Sequence, residues 1–536
     1  MNRRQAVNAT LLLFGLVLFG WRLGGHALWP PDEPRFGLVA REMLERGDPI
    51  VLSRNGRLYT DKPPLFFWAI DGFAMLFRGG TVDETAARLP SMVASVLALW
   101  LVARLGERLY DRRTGVLGAV VFATGLQILE RARWASIDMT LHLFVLAAIV
   151  LLWEEVEPRR STWRGVAAWG AMGLATLAKG PVGLVMPLLA IVPAFLLLRR
   201  VRDLPRVFPP AGIALFLMIV AAWFIPFSVR LGWGEALGIA THQTVERYVN
   251  AWNAQHPVWY YLWRFPAGFL PWSLFIPAAL VAAWRRPSVG PVARERTAAL
   301  LLTAWMAAIL VFFSFSTGKR GVYIIPIYPA AALLVARLFT REACDRLAAR
   351  SAGAFVPFGL LAAAGVAVAV PRRHPEFRAA AFAVAALLVA ASAAAAWGAL
   401  RRRTMVVPWG IAAAMTAVML TACALVLPGV DRHLNLSGFA SEVGAIRDRS
   451  VPLGATEEKR EVWVFYLKET VEETDTPEQV LGWIGEGPDR DLLIDDETYR
   501  TIAPRLPAGV RILHTGKVSG RPYRLLARRT APGDVR

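Results

Sequence analysis

The chain reads as a polytopic α-helical membrane protein of about 13 spans with a small C-terminal α/β domain, and three observations predict this. First, of 536 residues 55% are hydrophobic and only 19% charged, against roughly 25% charged in soluble domains; the mean hydropathy is +0.42. Second, apolar runs of roughly 20 residues, the length that crosses about 30 Å of hydrocarbon, recur along the chain and stop near residue 427. Third, the composition changes there: from Gly429 onward 16 Lys and Arg face 18 Asp and Glu, so the whole formal excess of +19 belongs to the apolar part. The expected domains are therefore 1–428 and 429–536, with a first external loop at 26–87. A soluble enzyme is excluded. So is a disulfide framework or cysteine-rich metal module, because Cys344 and Cys423 stand alone.

The spans are expected near 7–25, 88–106, 114–130, 136–153, 163–178, 180–198, 209–231, 260–284, 297–315, 321–340, 353–370, 377–400 and 407–427. Basic residues orient them. With Met1 cytoplasmic, one set of connections carries Arg3–Arg4, the Arg104–Arg113 and Arg159–Arg164 clusters, Arg199–Arg206, Arg285–Arg296, Arg337–Arg350 and Arg401–Arg403, 24 in all. The opposite set carries 9, among them Arg131, Lys179, Arg247 and Lys319. Such asymmetry is what the positive-inside rule produces. It also explains the basic balance without nucleic acid. Counting Pro63–Phe77 as a span would invert the asymmetry, so that run is assigned to a re-entrant or interfacial helix. The N-terminal stretch is taken as an uncleaved first helix, and the tail is then external. In the tail, Phe439–Arg447 and Pro477–Ile484 read as helices, Val462–Leu467 and Asp491–Ile494 as strands, and Arg511–Leu526 as a hairpin turning at Ser519-Gly520.

The chemistry-bearing residues gather on the external side. Trp29-Pro30-Pro31-Asp32-Glu33-Pro34 holds two adjacent carboxylates in a proline-constrained turn. Asp32 could N-cap a helix from Pro34 to Gly47, which does not exclude a catalytic role. Tyr59-Thr60-Asp61-Lys62-Pro63-Pro64 places a charged pair against a diproline. The chain has 6 Lys, and Lys62, Lys179 and Lys319 all fall at external turns; a compact ammonium suits a phosphate, although snorkelling from a helix end is the alternative. Glu130–Asp138 closes another external turn, and Asp138 opens a span, as a functional acid or an N-cap. Further on come Arg247-Tyr248, then His256 in Gln-His-Pro-Val-Trp, and Lys319-Arg320 in Thr-Gly-Lys-Arg-Gly. His256 is either a metal ligand or a surface histidine. No nucleotide-binding loop, zinc-protease helix or serine elbow occurs.

Taken together, Pro-Asp-Glu-Pro-Arg-Phe, Tyr-Thr-Asp-Lys-Pro-Pro-Leu, Arg-Trp-Ala-Ser-Ile-Asp, Asn-Ala-Gln-His and Phe-Ser-Thr-Gly-Lys-Arg-Gly-Val-Tyr resemble one family. It is that of the bacterial 4-amino-4-deoxy-L-arabinose (lipid A) transferases and the dolichyl-phosphate-mannose protein mannosyltransferase-like enzymes, glycosyltransferases of the GT-C fold class. The resemblance implies an undecaprenyl-phosphate-linked sugar as donor, inversion at the anomeric carbon, and an acceptor such as lipid A in the envelope. It implies a bacterial inner-membrane protein whose reacting face and tail are periplasmic. It casts Asp32, with Glu33 beside it, and Asp138 as the catalytic acids. Lys62, with Tyr59, Arg247, Lys319 and Arg320, would hold the donor phosphate. Asp61 and His256 would bind a divalent cation, Zn, Mg or Mn, although the family usually carries Glu at the position of Asp61. Transfer to protein hydroxyls, or transport of the lipid-linked sugar, are the competing expectations.

Overall fold

The structure is a computed structural model; it describes residues 3–155, 162–243, 248, 254–285, 292–456, 459–486 and 489–529. Contacts divide the chain into two compact units. One comprises residues 1–23, 60–66 and 88–423, and the other residues 24–59, 67–87 and 424–536.

The first unit is helical. Among the described residues, eight helices of the chain are long and apolar enough to cross a membrane: Glu84–Leu109, Ile137–Glu154, Val201–Leu231, Arg294–Phe315, Gly321–Thr340, Glu342–Arg373, Pro375–Leu400 and Val406–Leu434. Eight of the expected spans fall on them. The expected span 260–284 is two helices, Tyr260–Gly268 and Trp272–Trp284, bent by 111°; Pro271 lies at the break and has no N–H to continue the ladder. The expected span 114–130 is likewise divided into Arg112–Ala123 and Leu126–Arg131, parted at Thr124-Gly125. Arg4–Gly20 and Val182–Leu197 are shorter apolar helices, and 163–178 lies within Thr162–Lys179. Leu65–Phe77 has 13 residues, about 20 Å of helix, too short to cross about 30 Å of hydrocarbon in one piece.

Helix Tyr328–Thr340 forms the middle of this unit's core, with Tyr328 to Ala336 all buried. The guanidinium of buried Arg133 donates to the carbonyls of Leu18, Phe19 and Trp21, the carbonyls that the end of the first helix leaves unsatisfied. Ser136 N donates to Ser91 Oγ at 2.9 Å, and Ser91 Oγ to Ser136 O at 3.1 Å. These bonds fix the turn from which Asp138 emerges.

The second unit joins the first loop to the tail. Its strands are β1 (Ser53–Arg54), β2 (Arg57–Leu58), β3 (Leu453–Ala455), β4 (Glu472–Glu473), β5 (Arg490–Asp495), β6 (Val510–Val518) and β7 (Arg521–Arg528). β1 and β2 form a small hairpin, and the rest a mixed sheet in the order β4-β3-β5-β7-β6. The expected hairpin turns at Ser519-Gly520, both with positive φ, 53° and 76°, the geometry that closes a two-residue turn between twisted strands. The expected helix at Pro477 begins with a capping box between Thr476 and Gln479. One expectation is overturned: Val462–Leu467 is not a strand but lies in helix Arg460–Leu467, where Val462, Trp463, Val464 and Phe465 are all buried. A six-residue run apolar on every side carries no period by which strand and helix can be told apart.

Candidate active site

In the second unit, helix Asp32–Arg46 carries the first acidic pair. Asp32 does not cap it. The cap position is Pro31, and the Asp32 carboxylate instead forms an ion pair with Arg35, one turn on; both side chains are half-buried. Glu33 is fully buried, and its Oε2 accepts the N–H of Trp29 at 3.0 Å. Two neighbouring carboxylates therefore have different surroundings, one reachable and one built into the turn. Tyr59 is buried edge-on to Phe67, with centroids 5.8 Å apart, and Phe67 meets Phe36 of the acid-bearing helix at 6.0 Å.

In the first unit, Asp138 lies in the first turn of helix Ile137–Glu155 and Lys179 ends helix Thr162–Lys179. The two form an ion pair, and the Lys179 ammonium also stands 4.8 Å from the centre of the Tyr323 ring. Lys62 Nζ donates to the carbonyl of Asp61 at 2.8 Å, and the Asp61 carboxylate accepts from Gln243 Nε2 at 3.4 Å. Lys319 is 3% exposed. Its Nζ donates to the carbonyls of His256, at 2.8 Å, and Ser316, and its backbone N–H donates to Ala254 O at 2.9 Å. Burial pushes its ammonium below the ordinary lysine value. Gln255 and Gly318 make an isolated antiparallel bridge beside it. Arg320 is exposed, and its carbonyl accepts from Tyr261 Oη at 3.2 Å. Arg247 falls outside the described residues. Sequence reasoning passed over Arg264: its Nε is buried without a hydrogen-bond partner among the described residues, and Gly321 is packed so close that a β-carbon there would stand 3.0 Å from its Cζ.

The His256 ring lies flat against Tyr260, centroids 4.3 Å apart and planes 7° from parallel. Among the described residues no group of three or more His, Cys, Asp or Glu could hold a metal ion. Among these residues Asp61 and His256 are joined by no third such ligand.

A sequence-family profile described as dolichyl-phosphate-mannose-protein mannosyltransferase matches residues 61–225. The chain is 32% identical over 352 residues to an undecaprenyl phosphate-alpha-4-amino-4-deoxy-L-arabinose arabinosyl transferase of Erwinia tasmaniensis, covering 64% of this chain and 61% of that one. It is 31% identical over 378 residues to the protein of the same name from Pseudomonas paraeruginosa, covering 68% and 66%. The crystal structure of ArnT from Cupriavidus metallidurans bound to undecaprenyl phosphate superposes with a TM-score of 0.79 over 97% of both chains, at 24% identity. The chain belongs to the ArnT-like family of the GT-C class.

The fold of the ArnT-like chain thus extends across both units, whereas its sequence similarity spans about three-fifths of the length of the curated relatives it matches first. The family profile opens on Asp61 and Lys62 and takes in Asp138 and Lys179. It stops short of His256, Lys319 and the tail.

Proposed function

We propose that this ArnT-like protein is a glycosyltransferase that moves a sugar, aminoarabinose or a close analogue, from undecaprenyl phosphate to an envelope acceptor such as lipid A. The observation that carries this assignment is the 31% identity over 378 residues to an arabinosyl transferase whose name states its lipid-linked donor. The arginine asymmetry supports an inner-membrane protein with the Asp138 ends of its helices and the tail in the periplasm.

The chemistry follows from the donor. The acceptor oxygen forms the new bond to the anomeric carbon on the face opposite the phosphate, and the electron pair of the breaking C–O bond leaves on the phosphate. The barrier falls where positive charge stands ready for that phosphate, the role assigned to Lys62, Lys319, Arg320 and Arg247, with Tyr59 beside the donor. A hydroxyl acceptor loses its proton to Asp32; a phosphate acceptor already presents an anionic oxygen and needs no base. Asp138, held by Lys179, orients the sugar. Glu33 holds the turn on which Asp32 stands. Because the family profile is described by a protein acceptor, transfer to peptide hydroxyls is the second assignment.

The test is transfer by the purified protein from a panel of undecaprenyl-phosphate sugars to lipid A, a Ser/Thr peptide and water. Asp32→Asn should lose about a thousandfold in turnover while still binding donor. A chelator arm reads whether Asp61 and His256 hold an ion once donor is present. Turnover unaffected by Asp32→Asn removes the assignment of Asp32, and donor movement across vesicles without transfer replaces the enzyme by a transporter.

A further inference from the structure

The three residues that lead into the catalytic turn spend every backbone N–H on a specific partner. Ala27 N donates to Asp431 Oδ1 at 3.0 Å, Leu28 N to Tyr466 Oη at 2.7 Å, and Trp29 N to Glu33 Oε2 at 3.0 Å. The same Asp431 Oδ1 accepts the indole N–H of Trp29 at 3.1 Å. Tyr466 Oη, having accepted from Leu28, donates to Glu84 at 3.0 Å. Two of these three partners come from the tail, some 400 positions away in sequence, and Trp29 is three residues before Asp32.

The helix that carries Asp32 is gripped by the tail a second time. Arg41 donates to the carbonyls of Phe465, at 2.6 Å, and Val464, at 3.0 Å, and stands 5.4 Å over the Phe465 ring. These are carbonyls of the last turn of helix Arg460–Leu467, which have no partner within their own helix. Between the two grips, Gly37 leaves room for two side chains: a β-carbon there would be 2.9 Å from both Leu28 Cδ1 and Phe465 Cε2, so one of them would have to shift. The approach of the tail, the entering segment 27–29 and the acid-bearing helix is thus set at both ends and in the middle.

We infer that the tail is the positioning scaffold of the reaction, with Asp431 and Tyr466 as positioning residues that set the orientation of Asp32. This rests on the assignment of Asp32 above. A carboxylate that bridges a backbone amide and an indole N–H makes two charge-assisted bonds, so its removal frees the turn without touching the carboxylate that reacts. Misplacing a reacting group by about 1 Å costs on the order of a hundredfold in rate.

The experiment compares Asp431→Ala, Asp431→Asn and Tyr466→Phe in detergent-purified full-length protein. Turnover is measured with undecaprenyl phosphate-4-amino-4-deoxy-L-arabinose and lipid A, and deuterium uptake by peptides covering residues 24–38. Asp431→Ala should lose at least about tenfold in kcat per folded molecule with donor KM unchanged. Asp431→Asn, whose amide oxygen can accept both bonds, should recover to within about threefold, and Tyr466→Phe, which keeps the ring, should fall between. Exchange should rise at Ala27 and Leu28 and nowhere in the bundle. In an Asp32→Asn background Asp431→Ala should cost nothing further, since both act on one group. Unchanged kcat per folded molecule, equal losses in the Ala and Asn variants, or unchanged exchange at 27–28 would overturn the inference. An active Asp32→Asn enzyme would instead remove the assignment of Asp32, while the exchange data still report on Asp431.

Discussion

Lys179 and Asp138, 41 residues apart on neighbouring helices, form an ion pair in which each side chain is only 16% exposed. Each stands at the helix end that suits its charge, the lysine in a last turn and the aspartate in a first. Removing one member leaves the other poorly hydrated and unpaired, which costs more than the net worth of the pair. Lys179→Met should therefore destabilise the protein by about 1–3 kcal/mol and lower kcat/KM about tenfold or more. Adding Asp138→Asn should restore part of the stability but none of the turnover. A thermal-unfolding double-mutant cycle checks this, and additive losses would count against a coupled pair.

Glu33 makes a separate case, because its carboxylate is fully buried and bonded to the Trp29 N–H. Glu33→Ala should cost about 1.5–3 kcal/mol, the range for a lost hydrogen bond to a charged group, while Glu33→Gln keeps an acceptor in place and should cost about 1 kcal/mol or less. Limited proteolysis at the 24–38 turn, with melting temperature alongside, distinguishes the two. Equal losses would show that the acceptor is not what matters.

What was legible in the sequence was whatever local chemistry dictates. Hydrophobic length located eight of the expected spans as long helices, and Ser519-Gly520 located the hairpin because a glycine in a two-residue turn takes positive φ without strain. Val462–Leu467 was misread because a short run apolar on all faces has no period, and its helix is fixed by partners such as Arg41 that lie over 400 residues away. Asp32, Asp138 and Lys62 are marked as candidates by motif alone. Their partners are not so marked: neither Lys179 on the next helix nor Asp431 beside Trp29 announces its contact in its own neighbourhood. Arg264 was passed over because nothing flanks it but aromatics, and only the close approach of Gly321 marks it.

Helix Glu84–Leu109 turns back into Arg112–Ala123 through a crossing that tolerates no side chain. A β-carbon at Gly115 would overlap the Ala103 carbonyl oxygen and stand 2.8 Å from Glu107 N, both backbone atoms that cannot swing away. Gly115→Ala should destabilise by about 1–3 kcal/mol through overpacking. Gly72 provides the contrast: it sits inside helix Leu65–Phe77 with nothing within 4 Å of where an alanine methyl would stand, so Gly72→Ala should be neutral or stabilising by up to about 1 kcal/mol. Thermal unfolding of both variants in one detergent decides the sign of each.

Lys319 supplies the pH dependence. It sits in the turn between two spans, and burial holds its ammonium below the ordinary value of 10.5. Well below the lowered value the lysine is protonated in both folded and unfolded chains, and the folded protein carries the full desolvation cost. Between the lowered value and 10.5 the unfolded chain holds a proton that the folded chain has released, so the stability difference between wild type and Lys319→Met should shift in favour of wild type as pH rises. Above 10.5 both have lost it and the difference levels off. Lys319→Met also strips the donor from the carbonyls of His256 and Ser316, so it should be the less stable protein throughout, by about 1–3 kcal/mol. Denaturation midpoints of the two proteins between about pH 7 and 11 test this: curves that stay parallel would mean that the folded lysine titrates as an ordinary one, and curves that converge with rising pH would mean that its charged form is what the fold stabilises.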